Sequence, residues 1–161
     1  MEIIFIQTGG TIDKDYPRKS GGWAFEFGEP ATKRILENLD PSFPYEVLTA
    51  CQKDSQELTD QDRTLLTDVI QKQQAEKIII THGTDTIIET AKYLSERIEG
   101  KLIILTGAMR PERFSNSDAP INLGSAIGFV NSAEKGVFIC MHGIVKPFDK
   151  VKRNPETGQF I

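Results

Sequence analysis

Cysteine is scarce in these 161 residues, with only Cys51 and Cys140 present. They form no framework spacing and no CxxC pair, which excludes a disulfide scaffold and a cysteine zinc site and favours a reducing compartment. Long hydrophobic runs are missing as well. The first apolar stretch ends at Gln7, and Glu2 stands where a signal peptide carries basic residues. The expectation is therefore a cytoplasmic chain without a membrane span. Basic blocks are also lacking. Lys and Arg number 19 against 23 Asp and Glu, a net charge of -4, and no cationic stripe could track phosphates. Nucleic acid is thus not an expected partner, and small or neutral ligands are favoured. There are no solenoid-period repeats and no low-complexity segment.

The apolar content of 39% is enough to fill the core of one domain of this length. Short apolar runs alternate with helix-period patterns, the signature of βα units on a parallel sheet. Strands are expected at 3–7, 45–50, 78–80, 102–105 and 137–141. Glu29 and Pro30 open a helix with Ala31, Ile35, Leu36 and Leu39 on one face, and Thr59 caps another that buries Leu65, Leu66, Val69 and Ile70. A third helix buries Ile87, Ile88, Ala91, Leu94 and Ile98, and a fourth, rich in Gly and Ala, runs over 120–132. The polar, Gly-rich stretch 13–22 is expected to be a mobile loop. Trp23, Phe25 and Phe27 read as a short strand or loop end, and 142–161 as a turn and a weaker extended arm. The fold class is α/β: one domain with an open, mostly parallel, doubly wound sheet and helices on both faces.

Two Thr/Gly clusters, TGGTI at 8–12 and THGTDT at 81–86, each directly follow an apolar strand. Ligands of open α/β sheets bind beyond the carboxyl ends of the strands, so both clusters are expected to face one crevice. The glycines let backbone approach a ligand and leave N–H groups free to donate. His82 and His142 are weighed as packed histidines ahead of bases. Arg110 and Arg113 read either as anion binders or as loop arginines pairing with acids, Arg110 holding its loop, and Ser117 and Asp118 as structural. The acids Asp13, Asp15, Asp60 and Asp62 read as solvated or helix-dipole-stabilised groups, with no metal expected.

TGGTI at 8–12, DSQEL at 54–58, HGTDT at 82–86 and GAMRP at 107–111 together resemble the bacterial-type L-asparaginase family over nearly the whole chain. That resemblance implies an amidohydrolase that converts L-asparagine to L-aspartate and ammonia, with L-glutamine as a secondary substrate and no cofactor. It implies Thr8 as nucleophile, Thr84, Asp85 and Lys152 as the activating group (Lys150 and Lys146 competing for the lysine's place), and Tyr16 as lid residue, with Trp23 or Phe25 as alternatives. Ser55 and Gln56 would hold the substrate's α-carboxylate and α-amino groups, Asp85 would share the ammonium, Gly83 and Gly10 would line the substrate site, and backbone N–H groups at Gly10 or Thr84 would stabilise the oxyanion. Typical members are about twice as long and carry a smaller second domain, so residues 1–161 read as the N-terminal-type domain alone. A homodimer or homotetramer is expected. The rival readings are a non-catalytic asparagine or aspartate sensor and an amidase domain that depends on a partner.

Overall fold

The computed structural model describes residues 2–22, 24–131 and 135–161. In chain order it has β1 (Ile3–Gly9), a small hairpin of β2 (Lys14–Asp15) and β3 (Glu26–Phe27), α1 (Ala31–Leu39), β4 (Tyr45–Lys53), α2 (Asp60–Lys72), β5 (Lys77–Thr81), α3 (Ile87–Ser95), β6 (Leu102–Thr106), α4 (Ala119–Val130), β7 (Gly136–Met141) and β8 (Ile144–Pro147). The strands lie side by side as β4-β1-β5-β6-β7-β8. All neighbours are parallel except β8, which runs antiparallel to β7. This is the open, mostly parallel, doubly wound sheet expected from the sequence. No helix among the described residues is long and apolar enough to cross a membrane.

Side-chain alternation along the strands divides the core in two. Ile3, Phe5, Ile79 and Ile104 face α1 and α4, meeting Ile35, Leu36, Leu123 and Ala126. Ile4, Ile6, Ile78, Ile80, Ile103 and Leu105 face α2 and α3, meeting Leu66, Ile70, Ile87 and Leu94. Both faces of β1, β5 and β6 are buried, which is why these strands read as unbroken apolar runs. Each fully buried aliphatic side chain contributes roughly 1.5–3 kcal/mol.

Local signals set the helix starts. Thr59 and Asp62 form a capping box on α2, each side chain receiving the other's backbone N–H. Such caps are worth about 1 kcal/mol. α1 has no cap from its own flank, because Pro30 occupies the N-cap position. Instead Asp13 Oδ1 accepts the Ala31 N–H at 2.7 Å. Asp13 is therefore buried, 1% exposed, where a solvated loop acid was expected. The start of the polar stretch is likewise ordered, by the β2–β3 pairing. Leu39 and Leu65 are half exposed, since each helix turns only part of its apolar stripe onto the sheet. Trp23 and the end of the expected helix at 132 lie outside the described residues.

The chain leaves β1 for β4 on one side, then crosses by α2 to β5 on β1's other side. That reversal opens a crevice at the carboxyl ends of β4, β1 and β5.

Candidate active site

Three loops, one from each of these strands, wall a crevice of about 200 Å³. The loop after β1 brings Gly10 and Thr11, the loop after β4 brings Asp54, Ser55, Gln56 and Glu57, and the loop after β5 brings Gly83, Thr84 and Asp85. Sites for drug-sized ligands typically occupy roughly 300–1,000 Å³, so this volume suits a smaller molecule. The walls touch closely. A Cβ on Gly10, whose φ is 86°, would collide with the Gly83 backbone, and one on Gly83 would lie 2.7 Å from the Ser55 hydroxyl. Only glycine permits this approach.

Of the expected site residues, Gly10, Ser55, Gln56, Gly83, Thr84 and Asp85 come together here. Thr8 does not. It is the penultimate residue of β1, 1% exposed, and its hydroxyl donates to the Thr81 carbonyl at 2.8 Å. The second threonine of TGGT, Thr11, lies beyond the glycine turn and lines the crevice instead. Neither the Thr11 nor the Thr84 hydroxyl bonds to another described residue, so both are free for a ligand. The motif's two threonines differ in that the sheet consumes one and the turn presents the other.

Lys152 does not line the crevice either. It is exposed, and its backbone pairs with Ile161 in the terminal arm. Extended alternation from buried Val151 turns Arg153 inward instead. Arg153 Nη1 donates to Asp85 Oδ1 at 2.9 Å and to the Thr84 carbonyl at 3.2 Å, Nε reaches the Gly158 carbonyl, and the guanidinium lies over the Phe160 ring. Of the competitors for Lys152, Lys150 pairs with neighbouring Asp149, and neither it nor Lys146 lines the crevice.

Tyr16 stands outside the crevice, 64% exposed, with its ring against Phe25 and Phe114. The β2–β3 hairpin sets this position, and the Asp15–Arg113 ion pair fastens it. Phe25, the alternative lid residue, is in the same aromatic cluster.

The other titratable groups support the walls. His82 is fully buried, and burial pushes its pKa down to about 4, so the ring is neutral. Its Nδ1 donates to the Gly83 carbonyl at 2.7 Å, because a carbonyl can only accept, and Nε2 accepts from the Thr90 hydroxyl at 2.8 Å. Thr90 in turn accepts from Arg63 Nε. This buried chain holds the Gly83 peptide at the crevice wall. Gln56 Nε2 donates to Asp85 Oδ2 at 2.7 Å, the Thr86 hydroxyl donates to the Ser55 carbonyl, and Lys14 pairs with Asp54 at 2.7 Å. Burial pushes the thiols of Cys51 and Cys140 up to about 11 and about 12, so neither offers a thiolate. Asp118 accepts from the backbone of Met109 and Arg110, and Arg113 pairs with Asp15, the structural parts read for that loop. Among the described residues, no group of three His, Cys, Asp or Glu is arranged to hold a metal ion.

Thr11, Asp54 and Glu57 line the crevice, and Lys14 and Arg153 pair with its acids Asp54 and Asp85, without having been singled out from the sequence. Thr11 lay inside the quoted motif, and the inward parity of Val151 pointed to Arg153. Nothing local marked Lys14.

Comparison with known proteins agrees with this architecture. The family description "Asparaginase, N-terminal" matches residues 2–157. The chain is 35% identical over 165 aligned residues to a probable periplasmic L-asparaginase of Haemophilus influenzae, covering 97% of this chain and 47% of that one. It is 47% identical over 70 residues to a glutamyl-tRNA(Gln) amidotransferase subunit of Methanococcus vannielii, covering 43% of this chain and 16% of that one. The thermostable L-asparaginase from Thermococcus kodakarensis superposes with a TM-score of 0.85 at 24% identity, over all of this chain and 51% of that one, which shows a shared fold. The chain spans less than half the length of these curated relatives. With its sheet order, its strand-end crevice and a family match over nearly every residue, the chain belongs to the asparaginase family through that family's N-terminal domain.

Proposed function

We propose that the chain is an amidohydrolase that converts L-asparagine to L-aspartate and ammonia, with Thr11 as nucleophile in place of Thr8. The observation that carries this reading is the pair of uncommitted hydroxyls, Thr11 and Thr84, in a crevice that also holds Ser55, Gln56 and Asp85. In the first step the Thr11 oxygen attacks the side-chain amide carbon and ammonia leaves. Water then releases aspartate from the acyl-enzyme. The Thr84 backbone N–H stabilises the oxyanion, a donor worth roughly 2.7–4 kcal/mol by analogy with known oxyanion holes, while the Gly10 N–H, expected to share that part, is held by the Lys53 carbonyl at 3.0 Å.

Arg153 replaces lysine beside Asp85, and a guanidinium stays protonated, so it cannot take the threonine's proton. The acceptors lining the crevice are carboxylates, and Asp85, oriented by Arg153 and Gln56, takes that part. Ser55 is assigned to the α-carboxylate. Glutamine differs by one methylene, a change that a pocket discriminates by only about 1–3 kcal/mol, and is the secondary substrate.

Purified chain with L-asparagine tests the reading by ammonia release. Thr11→Val and Thr84→Val are each expected to reduce it at least ~100-fold, the scale of losing an activated nucleophile or its helper. Absence of ammonia from the wild type, or full activity in Thr11→Val, sinks the proposal.

A second reading is an amidase domain that works with a partner. It draws support from the 47% identity to an amidotransferase subunit over 70 residues and from the chain spanning less than half of its relatives' length. Ammonia release only after a partner is added would favour it. Assembly as a cytoplasmic homodimer or homotetramer remains part of the proposal, supported by unpaired Cys51 and Cys140 and by the exposed apolar Leu39 and Ile121. A monomeric mass by light scattering at micromolar concentration would count against the assembly.

A further inference from the structure

The close approach of Ser55 demands glycine at Gly83, and the freedom that comes with glycine leaves the peptide from Gly83 to Thr84 able to turn over. One contact decides which way it faces. The Gly83 carbonyl accepts the Nδ1–H of the buried His82 ring, and in a trans peptide the N–H of the next residue points the opposite way. The Thr84 N–H is therefore turned away from the ring and towards the crevice that Gly83 and Thr84 line, and no described residue accepts it. The Thr84 carbonyl is taken by Arg153, so the N–H between these two occupied carbonyls is left for a ligand.

The ring that grips Gly83 is itself held. His82 is neutral and the Gly83 carbonyl claims its one proton, so Nε2 is an acceptor and the Thr90 hydroxyl donates to it. The Thr90 oxygen is then free to accept from Arg63 Nε at 3.1 Å, and a guanidinium can only donate. Every bond runs in one direction, from Arg63 through Thr90 and His82 to Gly83, and in a buried chain of this kind each bond polarises the next. The guanidinium is fixed between α2 and α3, with Asp60 at 3.0 Å on the first helix and Glu89 at 3.6 Å on the second. Neither Arg63, Thr90 nor His82 lines the crevice.

We propose that Arg63 and Thr90 are positioning residues for the reaction: through His82 they hold the Gly83–Thr84 peptide with its N–H aimed into the crevice, where the tetrahedral oxyanion forms. The inference rests on the amidohydrolase reading for what that N–H meets. The orientation of the peptide does not depend on turnover.

Two measurements on the full chain test it. Ammonia release from L-asparagine gives kcat and KM, and the Thr84 amide 15N resonance is read in the same proteins without substrate. A hydrogen bond on a carbonyl moves the 15N resonance of the following residue downfield, so this signal reports the contact on Gly83. Thr90→Val is expected to lower kcat at least about tenfold, part of the roughly 100- to 1,000-fold cost of losing one oxyanion donor, to leave KM within about threefold, and to move the Thr84 resonance upfield. Thr90→Ser keeps the hydroxyl and should bring kcat back to within about threefold of wild type, with the resonance at its wild-type position. Arg63→Met should change both readouts in the Thr90→Val direction, and it carries the test if Thr90→Val does not fold. The inference is overturned if Thr90→Val turns over asparagine like wild type, if its loss lies in KM alone, if kcat falls while the Thr84 resonance stays in place, or if Thr90→Ser behaves like Thr90→Val. No ammonia from wild type defeats the amidohydrolase reading, whereas an unmoved Thr84 resonance defeats the role of Arg63 and Thr90 whatever the turnover.

Discussion

Replacing Asp13 by asparagine should expose a pH dependence of stability that the wild type hides. Asp13 is 1% exposed, its Oδ1 holds the first N–H of α1, and its Oδ2 has no hydrogen-bond partner among the described residues. Burial raises its pKa from 3.8 to about 6, against weaker opposing help from the Ala31 N–H, Gln7 and Arg34. Between these values the native state keeps a proton that the unfolded chain has released, so stability falls as pH rises from about 4 to 6 and stays lower above that. At about 1.4 kcal/mol per pH unit the loss is about 3 kcal/mol. His82 acts in the opposite sense. Burial lowers its pKa from 6.5 to about 4, so the unfolded chain gains a proton that the native state refuses. Its contribution is complete above about pH 6.5 and is lost as pH falls towards 4, again about 3 kcal/mol.

The two terms nearly cancel across about pH 4–6.5. The Asp13→Asn side chain would keep an amide oxygen for the Ala31 N–H and lose only the titration, leaving the His82 slope uncovered. Urea unfolding at half-unit pH steps, with unchanged m-values, measures the difference. Asp13→Asn should match wild type near pH 4 and exceed it by up to about 3 kcal/mol at pH 7. A difference that is constant from pH 4 to 7 would refute the reasoning, because a buried carboxyl titrating near 6 cannot produce it. Asp62, held below its usual range by the Thr59 N–H and Lys53, acts only at more acidic pH and leaves this window clear.

Thr8→Val should leave kcat within twofold of wild type yet cost about 1 kcal/mol in urea unfolding, since the lost hydroxyl served the Thr81 carbonyl and not the crevice. A loss of turnover as deep as that of Thr11→Val would restore Thr8 as nucleophile. Arg153→Met should lower kcat/KM for asparagine at least tenfold by releasing Asp85 and the Thr84 carbonyl, while Lys152→Met stays within twofold. The reverse ranking in the same ammonia assay would put the lysine back in the site.

Much of the fold was legible because its signals are local. Ile3–Ile6, Ile78–Ile80 and Leu102–Leu105 can only be strands buried on both faces, and the Thr59/Asp62 box starts a helix wherever it occurs. Asp13 was misread for the opposite reason. Its composition suggests a solvated loop, and its burial depends on α1, which lacks a cap of its own and borrows one from 18 residues upstream.

The site divides in the same way. Motif identity and strand-end position were enough to bring Ser55, Gln56, Gly83, Thr84 and Asp85 to one crevice, because a parallel sheet delivers every such loop to the same edge. Which threonine lines that crevice and which cation pairs with its Asp85 depended on side-chain direction, and direction is set by contacts far away in the chain. β5 claims the Thr8 hydroxyl through Thr81, and the glycine turn carries Thr11 past the sheet's edge. The terminal arm is pinned by buried Val151 and Phe160, so Arg153 turns in and Lys152 turns out. A one-residue change of parity reverses which side chain faces the ligand, and only packing against the rest of the molecule selects the parity.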